Sequence, residues 1–229
     1  QVIGAEALLR WEHPKHGYIL PEKFIRIAEQ SGLISDLSNY VLEYAISDCA
    51  QWQKQGIAIS VSVNLSAWDL QNPDLVNTVK SYLEKYQLNE SKLCLEITES
   101  VVMEDPVRAR EVLSQLNEMG VILYIDDYGT GFSSLAYLKL LPVDGLKIDK
   151  SFVIDMLEDE NDFIIVRSTI DMAHNLGLKV IAEGVEQHEA LLQLRQQRCD
   201  FAQGFHLARP MQQADFNQWY ENYHPKMVQ

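Results

Sequence analysis

The sequence predicts an α/β protein built as a TIM-like (β/α)₈ barrel, and three features support this fold class. Short apolar segments alternate along the chain with amphipathic helical segments, which is typical of a parallel sheet. These segments are apolar at nearly every position, as expected for strands buried on both faces. We count about seven such strands, and eight close a barrel. Because the chain begins inside an apolar segment, we expect that the first strand of the barrel is missing from it.

Each predicted strand is a short run rich in Val, Ile and Leu. In chain order the strands are Val2–Leu9, Ile57–Val63, Lys92–Thr98, Val121–Ile125, Gly145–Ile148, Lys179–Ala182 and Asp200–Ala202. Helices are predicted where proline or a capping residue precedes a run with helical periodicity and a glycine often follows it. They are Pro21–Ser31, a helix from Ser35 or Asp36 to about Gly56, Pro73–Tyr86, Pro106–Met119, Ser133–Leu140, Asn161–Asn175, Gln187–Gln197 and Gln212–Tyr223.

One domain covering residues 1–229 is expected, because no repeat, low-complexity segment or linker divides the chain. Hydrophobic residues make up 47% of the sequence, which is enough for a large core. No apolar run reaches the ~18 residues that a membrane span needs, and the sequence given contains no signal-peptide pattern. The three cysteines form no CxxC pattern, so we expect reduced thiols and a cytoplasmic protein.

The net charge of −14 comes from 19 basic and 33 acidic side chains. A protein that binds long nucleic acid needs a basic face, so this class of partner is excluded. A small anionic ligand is still compatible with the composition, provided that metal ions hold it.

The stretch Val121–Ser134 organises the chain. An apolar run ends there in two adjacent carboxylates, Asp126 and Asp127, and a Gly129-Thr-Gly131 turn follows. Two neighbouring acids at the end of a buried strand repel each other unless a cation lies between them. The alternative interpretation is a solvated turn in which an aspartate caps the next helix.

Nearly every predicted strand carries a polar residue within it or at its carboxyl end. These residues are Glu6, Asn64, Glu96, Asp126, Asp127, Lys147, Glu183 and Gln203. Barrel enzymes place their active sites at this end of the strands, and a set of oxygen ligands favours Mg²⁺ or Mn²⁺ over zinc. A lysine among such acids suits two-metal hydrolysis of a phosphoester. We expect nearby metal ions and buried strand atoms to disfavour the charged form of Lys147.

Other enzyme signatures are missing. The chain has no GxxxxGK[ST] phosphate loop and no third glycine of a dinucleotide fingerprint after Gly131. Ser133 and Ser134 lack a nucleophile elbow, and His13 and His16 lie in a loop rich in Pro and Gly, where a surface position is the simpler interpretation. From the fold alone, a second function remains an alternative: that of another Mg²⁺-dependent barrel enzyme, acting on a carbon acid.

Seven short motifs, in one order and spread over nearly the whole chain, resemble those of a known family. They are Glu6-Ala7-Leu8 with Leu9-Arg10-Trp11, Val63-Asn64-Leu65-Ser66, Leu95-Glu96-Ile97-Thr98-Glu99, Asp126-Asp127-Tyr128-Gly129-Thr130-Gly131, Leu146-Lys147-Ile148-Asp149, Ala182-Glu183-Gly184-Val185-Glu186 and Gln203-Gly204-Phe205. By these motifs the chain resembles the EAL-domain cyclic di-GMP phosphodiesterases. The resemblance implies hydrolysis of cyclic di-GMP to linear 5′-pGpG by two-metal-assisted, in-line attack of water, which lowers a bacterial second messenger.

The resemblance also implies roles for individual residues. The metal ligands would be Glu6, Asn64, Glu96, Asp126, Asp127 and Glu183. The catalytic set would be Lys147, Glu183, Gln203 and Glu6, with Lys147 as general base or electrostatic anchor. Substrate would contact Arg10, Leu8, Asp149 and Glu186; for Asp149, solvated charge beside a helix is the alternative. Glu99 would support the loop after Asp127 by accepting hydrogen bonds from the N–H groups of residues 129–131, and a surface acid is the alternative.

The resemblance implies cofactors and partners as well. The cofactors would be two ions of Mg²⁺ or Mn²⁺, with Ca²⁺ expected to inhibit because its geometry is less strict. The partners would be cyclic di-GMP, a second copy of the chain, and a covalently linked sensory or GGDEF-type domain outside this sequence. The domain would work in the cytoplasm, free or as part of a membrane-anchored protein. A weak or inactive domain that serves as a cyclic di-GMP receptor is the alternative function.

Overall fold

A parallel sheet organises the fold. The computed structural model describes residues 1–131 and 135–223, and within them seven strands pair in parallel to form one curled sheet. In the order in which they lie side by side, they are β1 (Gly4–Glu6), β4 (Ser60–Leu65), β5 (Leu93–Thr98), β6 (Ile122–Tyr128), β7 (Gly145–Ile148), β8 (Lys179–Ala182) and β9 (Phe201–Ala202). This sheet with its flanking helices confirms the predicted TIM-like fold class.

Helices connect the strands. They are α1 (Pro21–Ser31), α2 (Ile34–Lys54), α3 (Ala67–Gln71), α4 (Leu75–Tyr86), α5 (Glu99–Glu104), α6 (Pro106–Met119), α7 (Leu135–Leu138), α8 (Lys150–Asp155), α9 (Glu160–Asn175), α10 (His188–Gln196) and α11 (Gln213–Asn222). The sequence pattern did not predict helices α3, α5 and α8. A helix of five or six residues shows too little periodicity to be recognised. None of the helices in the described ranges is long and apolar enough to cross a membrane.

The first predicted strand and loop differ from the structure. Only Gly4–Glu6 of the predicted strand Val2–Leu9 pairs with the sheet, and the predicted loop contains an antiparallel hairpin, β2 (Trp11–His13) with β3 (Gly17–Ile19). The hairpin is fixed to α1 by the ring of Trp11, which packs edge-on against Phe24 at 5.8 Å between centroids. This tertiary contact orders a segment whose Pro and Gly content indicates a loop.

Several predicted boundaries also shift. Helix α2 begins after Leu33 without a side-chain cap, so neither Ser35 nor Asp36 caps it. Helix α9 is capped by Asp159, whose carboxylate accepts a hydrogen bond from the Asn161 backbone N–H at 2.7 Å. The predicted start of a helix at Ser133 lies outside the described residues.

The main core lies between the sheet and the helices around it. Alternate strand residues such as Val63, Leu95, Leu123, Leu146 and Val180 point outward into this core and are almost completely buried. Alternation along a strand sends the residues between them to the opposite, inner face. The polar strand residues of the candidate site therefore share the inside of the curled sheet.

The inner face below the site is filled by side chains. Tyr124 on β6 lies opposite Gly145 on β7, and a Cβ atom at position 145 would lie 2.4 Å from the Tyr124 ring. Only glycine leaves room for the ring there, since real Cβ atoms are not found at such distances. The closely packed interior supports the strand ends above it.

Candidate active site

The carboxyl ends of the parallel strands bring four acids together around one lysine. Glu6 ends β1, Glu96 lies on β5, Asp126 on β6, and Glu183 directly follows β8. We call these four residues the carboxylate cluster. Lys147 on β7 is completely buried, and its ammonium lies 2.6 Å from Glu96, 2.6 Å from Glu183, 3.3 Å from Asp126 and 3.7 Å from Glu6. Positions far apart in the sequence thus form one site.

The charge of Lys147 is the opposite of what the sequence predicted. Burial, the largest single influence, lowers its pKa, but the four members of the carboxylate cluster together raise it well above its ordinary value. Without metal ions in the site, the expectation that its charged form is disfavoured is therefore wrong. A buried lysine that keeps its charge needs paired acids, and here the strand ends supply them.

Burial and mutual repulsion raise the pKa values of two acids in the carboxylate cluster. Burial raises the pKa of Glu96 to about 7, and the charges of Glu6 and Asp126 add to the rise while Lys147 opposes it. Burial likewise raises the pKa of Glu183 to about 7, again against the influence of Lys147. Four acids share one cation, so the site holds an excess of negative charge that a further cation would relieve.

A β-bulge turns both adjacent aspartates toward the site. The pairing of β6 with β7 shifts register between Ile125 and Tyr128, and Asp127 adopts a left-handed backbone with φ of 51°. In a regular strand the two side chains would point to opposite faces. Because of the bulge, oxygens of Asp126, Asp127 and Glu183 lie within 4.8 Å of one another.

These three carboxylates fit a divalent cation of the Mg²⁺ or Mn²⁺ type, which prefers oxygen ligands at short distances. Burial raises the pKa of Asp127 to about 6, and the charges of Asp126 and Asp149 add to the rise. Protons would have to leave such groups before a cation binds. The donor set is therefore a possible site for a divalent cation, and the choice of Mg²⁺ or Mn²⁺ stays a prediction.

Amide side chains hold Glu6 in place from both sides. Asn64 on β4 donates a hydrogen bond from Nδ2 to one carboxylate oxygen of Glu6 at 2.7 Å, and Gln203 donates from Nε2 to the other at 2.6 Å. Gln203 follows the last strand of the sheet, whereas Glu6 ends the first. The pair of bonds closes the site across the two edges, and it leaves the Asn64 carbonyl oxygen available as a ligand.

Asp149 occupies the position beside a helix that the sequence left as the alternative, and its contact with substrate stays a prediction. It caps α8 through a hydrogen bond from the Ser151 backbone N–H at 3.0 Å, and its carboxyl group also shares a hydrogen bond with Asp127. The bonds from Ser151 and Asp127 outweigh burial and lower the pKa of Asp149. It is thus a helix cap in contact with the site.

Other predicted substrate residues lie outside the carboxylate cluster. Arg10 is exposed, and its guanidinium donates to the carbonyl oxygen of Leu9 at 2.8 Å; in the described part of the chain it pairs with no acid. Leu8 is 42% exposed, and Glu186 is also exposed. All three are accessible to a ligand, and their predicted roles stay predictions.

Glu99 lies beside the loop that follows Asp127, at the first position of α5. A Cβ atom at Gly131 would lie 3.5 Å from its carboxyl carbon, so the loop packs directly on it. The predicted hydrogen bonds from residues 129–131 are not formed, and Oε2 of Glu99 is buried without a hydrogen-bond partner among the described residues. A cavity of about 20 Å³ borders the carboxylate, large enough for one water molecule.

Sequence reasoning missed one buried acid next to this site. Asp69, two residues into α3 from its first position, is only 2% exposed. The spacing Ser66-x-x-Asp69 is a capping-box signal that identifies it as the partner of a helix start. Its burial could not be read from the sequence, because a capping acid is ordinarily solvent-exposed.

The fold and the site define a TIM-barrel-like α/β protein whose curled parallel sheet carries a cluster of acids that could hold a divalent cation. The family model described as the EAL domain matches residues 1–210. The chain belongs to the EAL domain family, as its motifs indicated.

Two relatives and two solved structures illustrate the similarity. The bifunctional diguanylate cyclase/cyclic di-GMP phosphodiesterase MucR of Pseudomonas aeruginosa is 44% identical over 211 residues, which is 92% of this chain and 31% of MucR. The signaling protein YkoW of Bacillus subtilis is 41% identical over 219 residues, which is 96% of this chain and 27% of YkoW. This chain therefore spans about a third or less of the length of these relatives.

The structural similarity is close. The MucR phosphodiesterase in complex with c-di-GMP has a TM-score of 0.90 and 43% identity, with 93% of this chain and 87% of that chain covered. The EAL domain of Mycobacterium smegmatis DcpA has a TM-score of 0.83 and 36% identity, with 96% and 91% covered.

Proposed function

We propose that this domain hydrolyses cyclic di-GMP to linear 5′-pGpG. The observation that carries the proposal is the buried Lys147 surrounded by the carboxylate cluster, with Asp126, Asp127 and Glu183 close enough to share a cation. The similarity to the MucR phosphodiesterase, solved in complex with c-di-GMP, supports the choice of substrate. In the reaction a water oxygen bonds to phosphorus, the bond from phosphorus to the 3′ oxygen breaks, and a proton passes to that oxygen.

The cofactors we propose are two ions of Mg²⁺ or Mn²⁺, held by Glu6, Asn64, Glu96, Asp126, Asp127 and Glu183. When bound, such ions supply positive charge to the phosphodiester and to the charge that develops in the transition state. An acidic mouth without them would repel a substrate with two phosphates. Ca²⁺ should bind and inhibit.

Lys147 has an electrostatic role in this proposal. Without metal ions in the site, the carboxylate cluster raises the pKa of Lys147, which favours a charged ammonium over a general base that must accept a proton. Its fixed positive charge, aimed at the carboxyl ends of the strands, stabilises negative charge that develops on the phosphoryl oxygens. Gln203 and Asn64 keep Glu6 oriented, and Asp149 keeps Asp127 oriented.

The location, oligomeric state and linked domains of this chain are also part of the proposal. We infer that the domain works in the cytoplasm as a homodimer, linked to a sensory or GGDEF-type domain as the bifunctional description of MucR suggests. The rival function is a receptor that binds cyclic di-GMP without cleaving it.

One experiment tests the proposal. The protein is incubated with cyclic di-GMP and Mg²⁺, Mn²⁺, Ca²⁺ or EDTA, and products are separated by chromatography. We expect pGpG with Mg²⁺ or Mn²⁺ and none with Ca²⁺ or EDTA. Glu183→Gln should abolish cleavage, whereas Glu118→Gln, an exposed acid on α6, should not. Bound but intact nucleotide with every metal would establish the receptor instead, and cleavage in EDTA would contradict the metal-dependent reaction.

A further inference from the structure

The start of α3 is fixed to the end of β4 by a reciprocal capping box. Ser66 precedes the helix, and its hydroxyl accepts a hydrogen bond from the Asp69 backbone N–H at 3.3 Å. In return the Asp69 carboxylate accepts a hydrogen bond from the Ser66 backbone N–H at 2.7 Å. Ser66 is the second residue after Asn64, so the box holds the chain directly beyond a proposed metal ligand.

The same oxygen of Asp69 reaches a second element of the fold. Oδ2 accepts hydrogen bonds from the Ser66 hydroxyl at 2.6 Å and from the Ser38 hydroxyl at 2.9 Å. Ser38 lies on α2, 31 residues away in the chain. A capping box needs only the local bonds, so the bond to α2 is additional and ties the end of β4 to the helix layer.

Asp69 is buried, and hydrogen bonds replace a cation as its partner. In the described ranges it forms no ion pair within 4.0 Å. A buried carboxylate is costly unless it is well bonded, and charge-assisted bonds are stronger than neutral ones. Three donors converging on one oxygen make this junction stiff.

The junction acts where the ladder of the sheet ends. Asn64 lies opposite Glu96 in the pairing of β4 with β5, and Leu65 opposite Ile97 is the last pair. Among the residues that the structure describes, no strand pairs with the chain beyond Leu65, and strand ends without partners fray. From Ser66 onward, the hydrogen bonds to Asp69 hold the chain in place of a strand partner. These bonds thereby limit movement of Asn64 relative to Glu6 and Glu96.

We propose that Asp69 is a positioning residue that fixes Asn64 for metal binding, an inference that rests on the proposed function. Asp69 need not touch metal or substrate, because it acts through Ser66 and the end of β4. Groups that orient a metal ligand typically change metal affinity by about 10–100-fold when they are removed. The proposal therefore predicts a change in metal affinity rather than only in stability.

The test measures Mn²⁺ binding to the intact protein by titration calorimetry. Asp69→Ala should raise the Mn²⁺ dissociation constant by about 10-fold or more. Ser38→Ala, which keeps the capping box and removes only the bond to α2, should raise it less. Asp69→Asn, which keeps one acceptor oxygen, should fall between these two. The matched control is Asn89→Ala, which removes a side-chain cap before β5 at the amino end of the strands; it should leave the constant unchanged.

The stoichiometry separates positioning from folding. A variant that only loses folded protein binds less Mn²⁺ with the wild-type constant, whereas loss of positioning raises the constant at full stoichiometry. If Asp69→Ala does not fold, Asp69→Asn and Ser38→Ala decide the question by the same measurement. A wild-type constant in the folded Asp69 variants would overturn the positioning role. Failure of the wild-type protein itself to bind Mn²⁺ would instead contradict the proposed function.

Discussion

The ammonium of Lys147 lies 2.6 Å from a carboxylate oxygen of Glu96, although β6 separates the strands that carry them. The contact is possible because the sheet curls and both side chains point to its inside. Glu96 is 1% exposed and Lys147 is 0% exposed, so water does not screen the contact; Glu96 helps to raise the pKa of Lys147, and Lys147 opposes the rise in the pKa of Glu96.

Removal of the lysine should therefore affect stability and activity together. Lys147→Ala leaves buried acids unpaired, which typically costs about 3–5 kcal/mol in the free energy of unfolding, and we expect a loss of this size in metal-free protein by urea denaturation. We also expect kcat to fall by about 10²-fold or more while KM stays within a small factor, because Lys147 would stabilise charge that develops only in the transition state.

Lys179→Ala is the matched control for that substitution. Lys179 lies on the adjacent strand β8 and pairs with Asp200 at 2.6 Å, but its side chain is 60% exposed. Exposed pairs contribute about 0–1 kcal/mol, so this variant should unfold and turn over almost normally. Near-normal kcat in Lys147→Ala would remove Lys147 from the mechanism.

The stability of the metal-free protein should fall as the pH rises from about 4.5 to about 7. The pKa of Glu96 is raised from 4.5 to about 7 in the folded protein, so in this window the folded state holds a proton that the unfolded state has lost. Unfolding then releases protons, and higher pH favours it. Glu183 contributes in the same direction.

The measurement is urea denaturation of EDTA-treated protein across this pH range. Glu96→Gln cannot titrate at this position and should flatten the dependence. Mn²⁺ should bind more tightly as pH rises through 7, because bound protons no longer compete with it. A wild-type profile that is flat, or that rises with pH, would show that these acids are ionised throughout.

Glu99 should control activity more than nucleotide binding. Glu99→Ala removes the carboxylate on which Gly131 packs, and the loop that follows Asp127 should loosen. We expect kcat to fall at least about 10-fold, with a smaller change in the dissociation constant for cyclic di-GMP, since orientation of catalytic groups matters more than binding. Additional Mg²⁺ should restore part of the activity.

Two further variants serve as comparisons for Glu99→Ala. Glu99→Gln keeps the shape and an acceptor oxygen, and should be milder than the alanine variant. Glu104→Ala removes an exposed acid at the other end of α5 and should behave as wild type. If kcat, affinity and Mg²⁺ requirement are all unchanged in Glu99→Ala, this residue has no part in catalysis.

Gly145 should tolerate no side chain. A Cβ atom there would lie 2.4 Å from the Tyr124 ring and 2.5 Å from the Lys179 carbonyl oxygen. Overpacking of this kind typically costs about 1–3 kcal/mol, and Gly145→Ala should lower the urea midpoint accordingly. Adding Tyr124→Leu should recover only part of the loss, because the backbone contact stays. An alanine variant as stable as wild type would mean that β7 can move away.

The sequence determined the fold class and most of the strands, because period and capping are local properties. The segments Pro106–Met119, Gly145–Ile148 and Lys179–Ala182 appear in the structure with the predicted bounds. The polar residue at each strand end was also visible in the sequence, since a charged side chain in an apolar run stands out. The family followed from the same residues.

Only the tertiary structure decided how these residues meet. The charge of Lys147 depends on four acids that other parts of the chain supply, whereas burial, which the sequence suggested, acts in the opposite direction. The approach of Asp127 to Asp126 and Glu183 depends on a bulge and a left-handed backbone, which no local pattern showed. Asp69 became notable only because α2 packs over a cap that would otherwise face water. Such properties arise from contacts between residues that are far apart in the chain, and local sequence patterns do not show which of these residues meet in space.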